Sequence, residues 1–262
     1  MLTDVFIPKA ITSDASTSLP AGRKIRREHG ESDFRKICCL TGVITGASGS
    51  AFLSFGDTKV FVAVHGPRAN QRGLSSGQFS DVGLLECDVR IATGDSHFLN
   101  STSEPTISQQ LRDALAPSVR LSSYPKSVIS IHAVIVQSAG GELAAVISCA
   151  SLALADASIE INDFVCAATI GLSKSQQLTG TMKSSMIVDP CKEEYDDLAS
   201  VLTLSSMTSH GSVLTHLSVE GCLSVSEFAA LVSLAKSGCS YLRTVMVNSL
   251  RQSFSSKWIS SS

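Results

Sequence analysis

The sequence predicts a mixed α/β (α+β) protein in which helices pack on mixed β-sheets. Two blocks rich in β-branched and aromatic residues, near residues 50–91 and 185–219, are each followed by helical periodicity. The order of strands, helices, strands and one long helix is typical of helices layered on sheets. Because the second half looks like an imperfect copy of the first, we expect two similar subdomains.

The first block predicts a β-hairpin and a third strand. Residues 50–55 and 59–65 flank the turn residues Gly56, Asp57 and Thr58, a pattern typical of a hairpin. Residues 84–91 form the third predicted strand.

Helical spacing replaces the strand pattern after residue 106. Ser103 is a plausible N-cap and Pro105 lies in the first predicted turn. The apolar residues with helical spacing are Ile107, Leu111, Ala114, Leu115 and Val119. The segments predicted after this helix are a buried strand at 128–137, a turn at 139–141, a core helix at 143–157 and an apolar strand at 163–171.

The second block and the C-terminal helix complete the predicted elements. Ser224 and Glu227 have the spacing of a capping box at the start of a long helix, and Gly238 is expected to mark a kink. The predicted strands of this block are residues 185–188, 199–204 and 213–219. The predicted organisation is an N-terminal arm at 1–32, subdomains at 33–171 and 185–255, a loop at 172–184 and a flexible tail at 256–262.

Composition excludes several classes of protein. A hydrophobic content of 44% with 17% charged residues excludes a disordered chain, and a net charge of −2 lacks the signal of a strongly basic nucleic-acid-binding domain. The longest apolar stretch, residues 143–155, is too short to span a bilayer, so no membrane association is predicted. Eight cysteines without a C-x-x-C pair predict a reduced intracellular protein.

The sequence allows more than one role for the charged runs that are candidates for binding. The basic run at 23–27 is either a solvated arm or a contact to a phosphate backbone or partner, and the acidic run at 193–197 is either a solvated turn or a divalent-ion site. His65 and His132 lie in predicted strands and are interpreted as core or rim histidines. Because the histidines and cysteines lack metal-ligand spacing, no metal or cofactor is predicted.

A colinear series of motifs over residues 33–255 resembles the RNase PH family. Each fragment is weak alone, but the order of the whole series is specific. In chain order the fragments are G-S-A at 49–51, G-D-T-K-V at 56–60, A-V-H-G-P-R at 63–68, L-R-D-A-L-A-P at 111–117, Y-P-K-S at 124–127, Q-S-A-G-G at 137–141, S-L-A-L-A-D-A at 151–157, D-F-V-C at 163–166 and V-D-P at 188–190.

The resemblance implies the two-layer RNase PH fold in two similar subdomains. Members of the family include phosphate-dependent 3′→5′ exoribonucleases and the barrel subunits of the eukaryotic RNA exosome. The motifs are most similar to the mRNA-transport-regulator type of exosome subunit, followed by the ribosomal-RNA-processing type.

The residues at the family's phosphate-binding positions differ from those of active members. Active members hold phosphate with arginines before the Y-P segment and in a G-G-T-R turn. Here Thr102 and Ser103 occupy the first position, and Glu142 and Leu143 replace Thr and Arg in the turn. Glu142 is expected to repel phosphate. The absence of each charge-assisted anchor is expected to cost about 1.5–3 kcal/mol of transition-state stabilisation.

The carboxylate positions are partly retained, which leaves three hypotheses. Asp189 matches the first of two family aspartates, whereas Tyr195 stands at the second with Asp196 beside it. The favoured hypothesis is a catalytically inert ring subunit that scaffolds an RNA channel. The alternatives are an active exoribonuclease that uses Asp189 and Asp196, and an unrelated α/β binding protein.

The resemblance also implies partners and a location. The expected partners are other RNase PH-type subunits in a hetero-hexameric ring, S1/KH cap subunits and single-stranded RNA, in the nucleus and nucleolus and also in the cytoplasm. Arg68 and Arg72 match the family's G-P-R loop at the mouth of the channel and are candidate RNA contacts. The other interpretation is that both are solvated or form subunit contacts.

Overall fold

The first of two sheets is built by the N-terminal half of the chain. The computed structural model describes residues 33–69, 81–92, 103–173, 185–209 and 213–260. The first sheet has the order β1-β2-β3-β5-β4, antiparallel except for the parallel pair β4–β5. Its strands are β1 (Ile37–Thr41), β2 (Gly49–Phe55), β3 (Thr58–Ala69), β4 (Leu84–Ile91) and β5 (Ser127–Gln137).

The second sheet is antiparallel and has the order β7-β6-β8-β9. Its strands are β6 (Val165–Ser173), β7 (Met186–Val188), β8 (Leu198–Met207) and β9 (Val213–Gly221). The helices of the described residues are α1 (Glu104–Leu115), α2 (Glu142–Asp156) and α3 (Val225–Ser260). The predicted mixed α/β fold class is therefore confirmed.

Helix α2 joins the two sheets into one core. Residues 144–154 of this helix are all buried, as expected for the predicted core helix. The helix contacts β2 and β3 of the first sheet and β6 of the second. A single cluster of buried apolar side chains includes members of both sheets and of α1, α2 and α3.

Helix α3 differs from its prediction at two points. The capping box is confirmed, because the Ser224 amide donates to Glu227 Oε2 at 3.0 Å and the Glu227 amide donates to Ser224 Oγ at 3.3 Å. The helix is continuous through Gly238, where a Cβ would lie 3.0 Å from Phe34 Cζ, so this glycine permits close packing. It also continues to Ser260, into the segment predicted as a flexible tail.

Two predicted boundaries fall inside strands. The boundary at residue 171 cuts β6, which pairs with β7 and β8 and so belongs to the second sheet. Strand β3 extends beyond His65 to Ala69, because residues 68 and 69 still pair with β5, so Arg68 lies in a strand rather than in a loop. Strand β1 had no prediction. The basic run at 23–27 and residues 174–184 of the predicted loop lie outside the described residues.

The apolar faces of the helices and four of the eight thiols belong to the core. None of the helices in the described part of the chain combines the length and apolarity needed to cross a bilayer. All eight cysteines are free thiols, and four of them are buried. Burial raises the pKa of Cys39 to about 12 and that of Cys239 to about 11, which keeps both thiols protonated and unreactive.

Candidate functional site

Three of the residues singled out by the sequence line one pocket between α1, the start of α2 and the second sheet. They are Glu142, Leu143 and Tyr195. The pocket has a volume of about 90 Å³. Its other lining residues are Ile107, Gln110, Gly141, Thr169, Val201, Thr203, Ser218 and Glu220.

The chemistry of this pocket does not suit an anion. Its described lining residues include two carboxylates, Glu142 and Glu220, and no lysine or arginine. Ligand pockets usually measure about 300–1,000 Å³, so the pocket is also small for a nucleotide. A phosphate group placed here would meet negative charge without a cationic partner.

Glu142 holds the turn that leads into α2. It is the first residue of the helix, and its buried carboxylate accepts hydrogen bonds from Ser138 Oγ at 2.6 Å and from the Gly140 amide at 2.8 Å. A negative charge at a helix N-terminus is also favoured by the helix dipole. The side chain therefore has a structural role in this turn.

The two glycines of this turn are required by its geometry. Gly140 and Gly141 have φ angles of +101° and +69°, in the left-handed region that favours glycine. A Cβ on Gly140 would lie 2.5 Å from the Pro190 carbonyl oxygen. The turn therefore packs directly against the segment that follows Asp189.

Asp189 is held in a buried ion pair with Arg35. Arg35 Nε donates to Asp189 Oδ2 at 2.8 Å and Arg35 Nη2 donates to Asp189 Oδ1 at 2.7 Å. The two side chains are 9% and 2% exposed. A bidentate guanidinium–carboxylate pair is among the stronger charge-assisted contacts, so both carboxylate oxygens of Asp189 are already bound within the chain.

The guanidinium of Arg35 also ties the site to both sheets. It donates to the carbonyl oxygens of Ala139 at 2.9 Å and Gly140 at 2.8 Å. Thr58 Oγ1, at the start of β3, donates to the same Gly140 oxygen at 2.7 Å. Burial acts to lower the pKa of Arg35, but the hydrogen bond and charge of Asp189 outweigh it and the pKa is raised.

Tyr195 and Asp196 have different environments. Both lie in the 3₁₀ segment Lys192–Asp197, where the Tyr195 hydroxyl accepts a hydrogen bond from the Gly141 amide at 3.2 Å. Burial, and then the charge of Glu142, raise the pKa of Tyr195. The side chain of Asp196 is exposed, whereas that of Asp189 is buried against Arg35. The hypothesis of an Asp189–Asp196 catalytic pair therefore joins two carboxylates in unlike surroundings.

The remaining predicted residues lie apart from the pocket lining. Ser103 caps α1 through its backbone carbonyl, which accepts from the Ile107 amide at 3.2 Å, and its side chain is exposed. Arg68 is exposed near the end of β3. Thr102 and Arg72 lie outside the described residues. Within the described ranges, no group of three or more His, Cys, Asp or Glu side chains is arranged to hold a metal ion.

Sequence reasoning missed Arg35, the cation that binds Asp189. Arg35 is 154 positions from its partner and precedes a strand that the sequence did not predict. No local pattern marks it, because an isolated Arg beside a Lys has the composition of a solvated segment.

Comparisons with known proteins agree with the motif series. The RNase PH model, described as 3′ exoribonuclease family, domain 1, matches residues 33–160. The exosome complex component RRP41-like of Arabidopsis thaliana is 32% identical over 244 residues, which cover 93% of this chain and 88% of that protein. The exosome complex component MTR3 of Homo sapiens is also 32% identical, over 230 residues that cover 82% of each chain.

Solved structures share the fold. The crystal structure of rice (Oryza sativa) Rrp46 has a TM-score of 0.71 at 21% identity and covers 85% of this chain and 98% of its own. An Archaeoglobus fulgidus exosome with RNA bound to the active site has a TM-score of 0.64 at 18% identity, with 82% and 90% covered. These structures show a common fold, and the sequence matches show that the chain belongs to the RNase PH family.

Proposed function

We propose that the chain is a catalytically inert ring subunit of an RNA exosome, which scaffolds the channel that threads single-stranded RNA for 3′→5′ degradation and processing. The observation that carries this proposal is the pocket itself, whose described lining offers Glu142 and Glu220 but no cationic side chain for a phosphate. The similarity to exosome components of Arabidopsis thaliana and Homo sapiens supports the choice of complex.

The ion pair between Asp189 and Arg35 is a second, independent argument for a catalytically inert chain. Phosphorolysis by this family needs a carboxylate that binds a metal ion or donates a proton to the leaving ribose oxygen. Both oxygens of Asp189 accept hydrogen bonds from Arg35. Metal binding would have to compete with a buried, bidentate guanidinium.

The partners follow from the proposed role. They are other RNase PH-type subunits in a hetero-hexameric ring, S1/KH cap subunits and single-stranded RNA, and the proposed location is the nucleus and nucleolus together with the cytoplasm. Exposed apolar side chains on the edge strand β9 support a chain that is completed by neighbours, because long apolar edges invite pairing. They are Val213, Leu214, Leu217 and Val219.

The second candidate is an active phosphate-dependent 3′→5′ exoribonuclease. The description of the matching family as 3′ exoribonucleases and the presence of an aspartate at position 189 favour it. It requires the site to bind phosphate without the family's arginines, at the turn where Glu142 and Leu143 stand.

One reconstitution experiment separates the two candidates. The full chain is co-expressed with RNase PH-type paralogues of its own organism, and the ring is isolated and assayed with single-stranded RNA, phosphate and Mg²⁺. We expect the chain to enter the ring, and we expect the chain alone to release no nucleoside diphosphates. Release of nucleoside diphosphates that is abolished in Asp189→Ala would establish the enzyme instead. A stable monomer that ignores its paralogues would overturn the ring assignment.

Arg68 is the described candidate for contact with RNA. It is exposed near the end of β3, and a planar guanidinium binds phosphate without reading base identity. In the reconstituted ring, Arg68→Ala combined with Arg72→Ala should weaken binding of any single-stranded RNA. The log–log salt slope should fall by roughly 0.7 for each RNA phosphate that these arginines neutralise. Arg112→Ala, at an exposed residue of α1, is the control. Unchanged affinity and slope in an intact ring would place the RNA path elsewhere.

A further inference from the structure

Two histidines lie side by side on the outer face of the first sheet. Successive residues of a strand point to opposite faces, and the neighbours Val64 and Ile131 are buried in the core. His65 of β3 and His132 of β5 therefore point outward, where the side chain of His132 is 51% exposed. The two residues are diagonal neighbours, since His132 is opposite Ala63 and His65 is opposite Ser130.

The spacing of the two rings suits a shared ligand. Their centroids are 5.7 Å apart and the ring planes are inclined at 57°. Imidazole nitrogen binds Zn²⁺ at about 2.0–2.1 Å, so the centres of two rings on one ion lie on the order of 5–6 Å apart. The pairing of β3 with β5 places the two histidines at this separation, and the register of the pair shifts directly after His65.

A carboxylate is placed to orient one of the rings. Asp88 of β4 is directly opposite His132, and its Oδ2 lies 3.9 Å from His132 Nδ1. Histidines that bind metal ions usually donate their other ring N–H to a carboxylate or carbonyl. This arrangement leaves His132 Nε2 for a ligand. Asp88 and His132 also line a groove of about 670 Å³ along β4, which leaves space beside His132.

The second histidine has no competing partner for one of its nitrogens. His65 Nδ1 is buried and makes no hydrogen bond within the described structure. Arg90 competes with His132 for Asp88, because Arg90 Nε lies 3.2 Å from Asp88 Oδ2. Both side chains of this pair are exposed, so the interaction is weak.

We propose that His65 and His132 form a binding site for a divalent transition-metal ion of the imidazole-preferring class, represented by Zn²⁺, with water completing the coordination. Two imidazoles favour Zn²⁺, Ni²⁺ or Cu²⁺ over Mg²⁺ or Ca²⁺, which prefer oxygen ligands. The site is separate from the pocket at Glu142, so it does not depend on the proposed function. It assigns a ligand to a pair whose place in predicted strands is typical of core or rim histidines.

Calorimetric titration of the full-length chain with Zn²⁺ alone tests the site. We expect His65→Ala and His132→Ala each to weaken the binding at least about tenfold, and Asp88→Asn to weaken it by a smaller factor. His216→Ala, in β9 of the other sheet, is the matched control and should leave the affinity unchanged. Because free thiols also bind Zn²⁺, the decisive quantity is the difference between wild type and the double variant.

A second readout separates binding from folding. Ni²⁺ should broaden the ring resonances of His65 and His132 in NMR spectra before those of His216, while Mg²⁺ should change none of them. Equal Zn²⁺ affinity in wild type and in a folded His65→Ala/His132→Ala variant would overturn the proposal, as would absence of any histidine-dependent binding.

Discussion

Replacement of Arg35 by methionine should lower the free energy of unfolding by about 3–5 kcal/mol, the usual cost of leaving one member of a buried ion pair without its partner. Methionine keeps much of the length of the side chain but leaves the 2%-exposed Asp189 without its guanidinium, and two carbonyl oxygens lose a donor. For a chain of this size the midpoint of thermal unfolding should fall by about 10 °C. Urea denaturation followed by circular dichroism measures the change.

Two further variants show whether the destabilisation comes from the buried charge. Arg112→Met removes a guanidinium from an exposed pair with Asp113 and should change stability by less than about 1 kcal/mol. Arg35→Met/Asp189→Asn removes both charges and should recover part of the stability, since Asn tolerates the φ of +50° at this position. A destabilisation below about 1 kcal/mol in Arg35→Met would show that the ion pair does not stabilise the packing of the two sheets.

Substitution of Gly49 by alanine should destabilise the protein by about 3 kcal/mol or more, at the upper end of the range for overpacked sites. A Cβ at this position would lie 2.1 Å from the Ala157 amide nitrogen and 2.6 Å from the Ala153 carbonyl oxygen. These are backbone atoms at the end of α2, so no change of side-chain rotamer relieves the clash. The adjacent Ser50 amide donates to Asp156 Oδ2 at 3.0 Å, and the clash should break this hydrogen bond as well.

Gly46, three residues before Gly49 in the turn that leads into β2, provides the control. A Cβ there would meet nothing within 4 Å, so Gly46→Ala should leave the free energy of unfolding within about 0.5 kcal/mol of wild type. Chemical denaturation of both variants at equal protein concentration makes the comparison. Similar stabilities for the two variants would mean that β2 and α2 are less closely packed than these distances indicate.

Local patterns in the sequence predicted most of the secondary structure. Alternating apolar residues and a Gly-Asp turn located the hairpin of β2 and β3, and residues 84–91 match β4 at both ends. The S-x-x-E spacing at 224–227 placed the start of α3, because that motif satisfies amide groups that the first helical turn leaves free. Strand β1 was missed, since its short run at 37–41 alternates weakly and contains two cysteines.

Membership of the sheets could not be read from these patterns. Strand β6 is mostly apolar and is buried at every position, which identifies a central strand without naming its neighbours. Its pairing with β7 and β8 depends on the path of the chain around α2. The sequence therefore located the strand to within two residues, whereas only the strand pairing shows that it belongs to the second sheet.

For the candidate site, too, some features follow from the sequence and others only from the tertiary structure. By itself the sequence determined the family, because colinear motifs are a property of the chain, and it predicts that Glu142 and Leu143 stand at the family's phosphate-binding positions. Only the tertiary structure decided that Glu142 turns back onto Ser138 and Gly140, and that Arg35 binds Asp189 across 154 positions. The physical reason is that periodicity and capping act over a few residues, whereas a buried charge finds its partner through the packing of both sheets around α2.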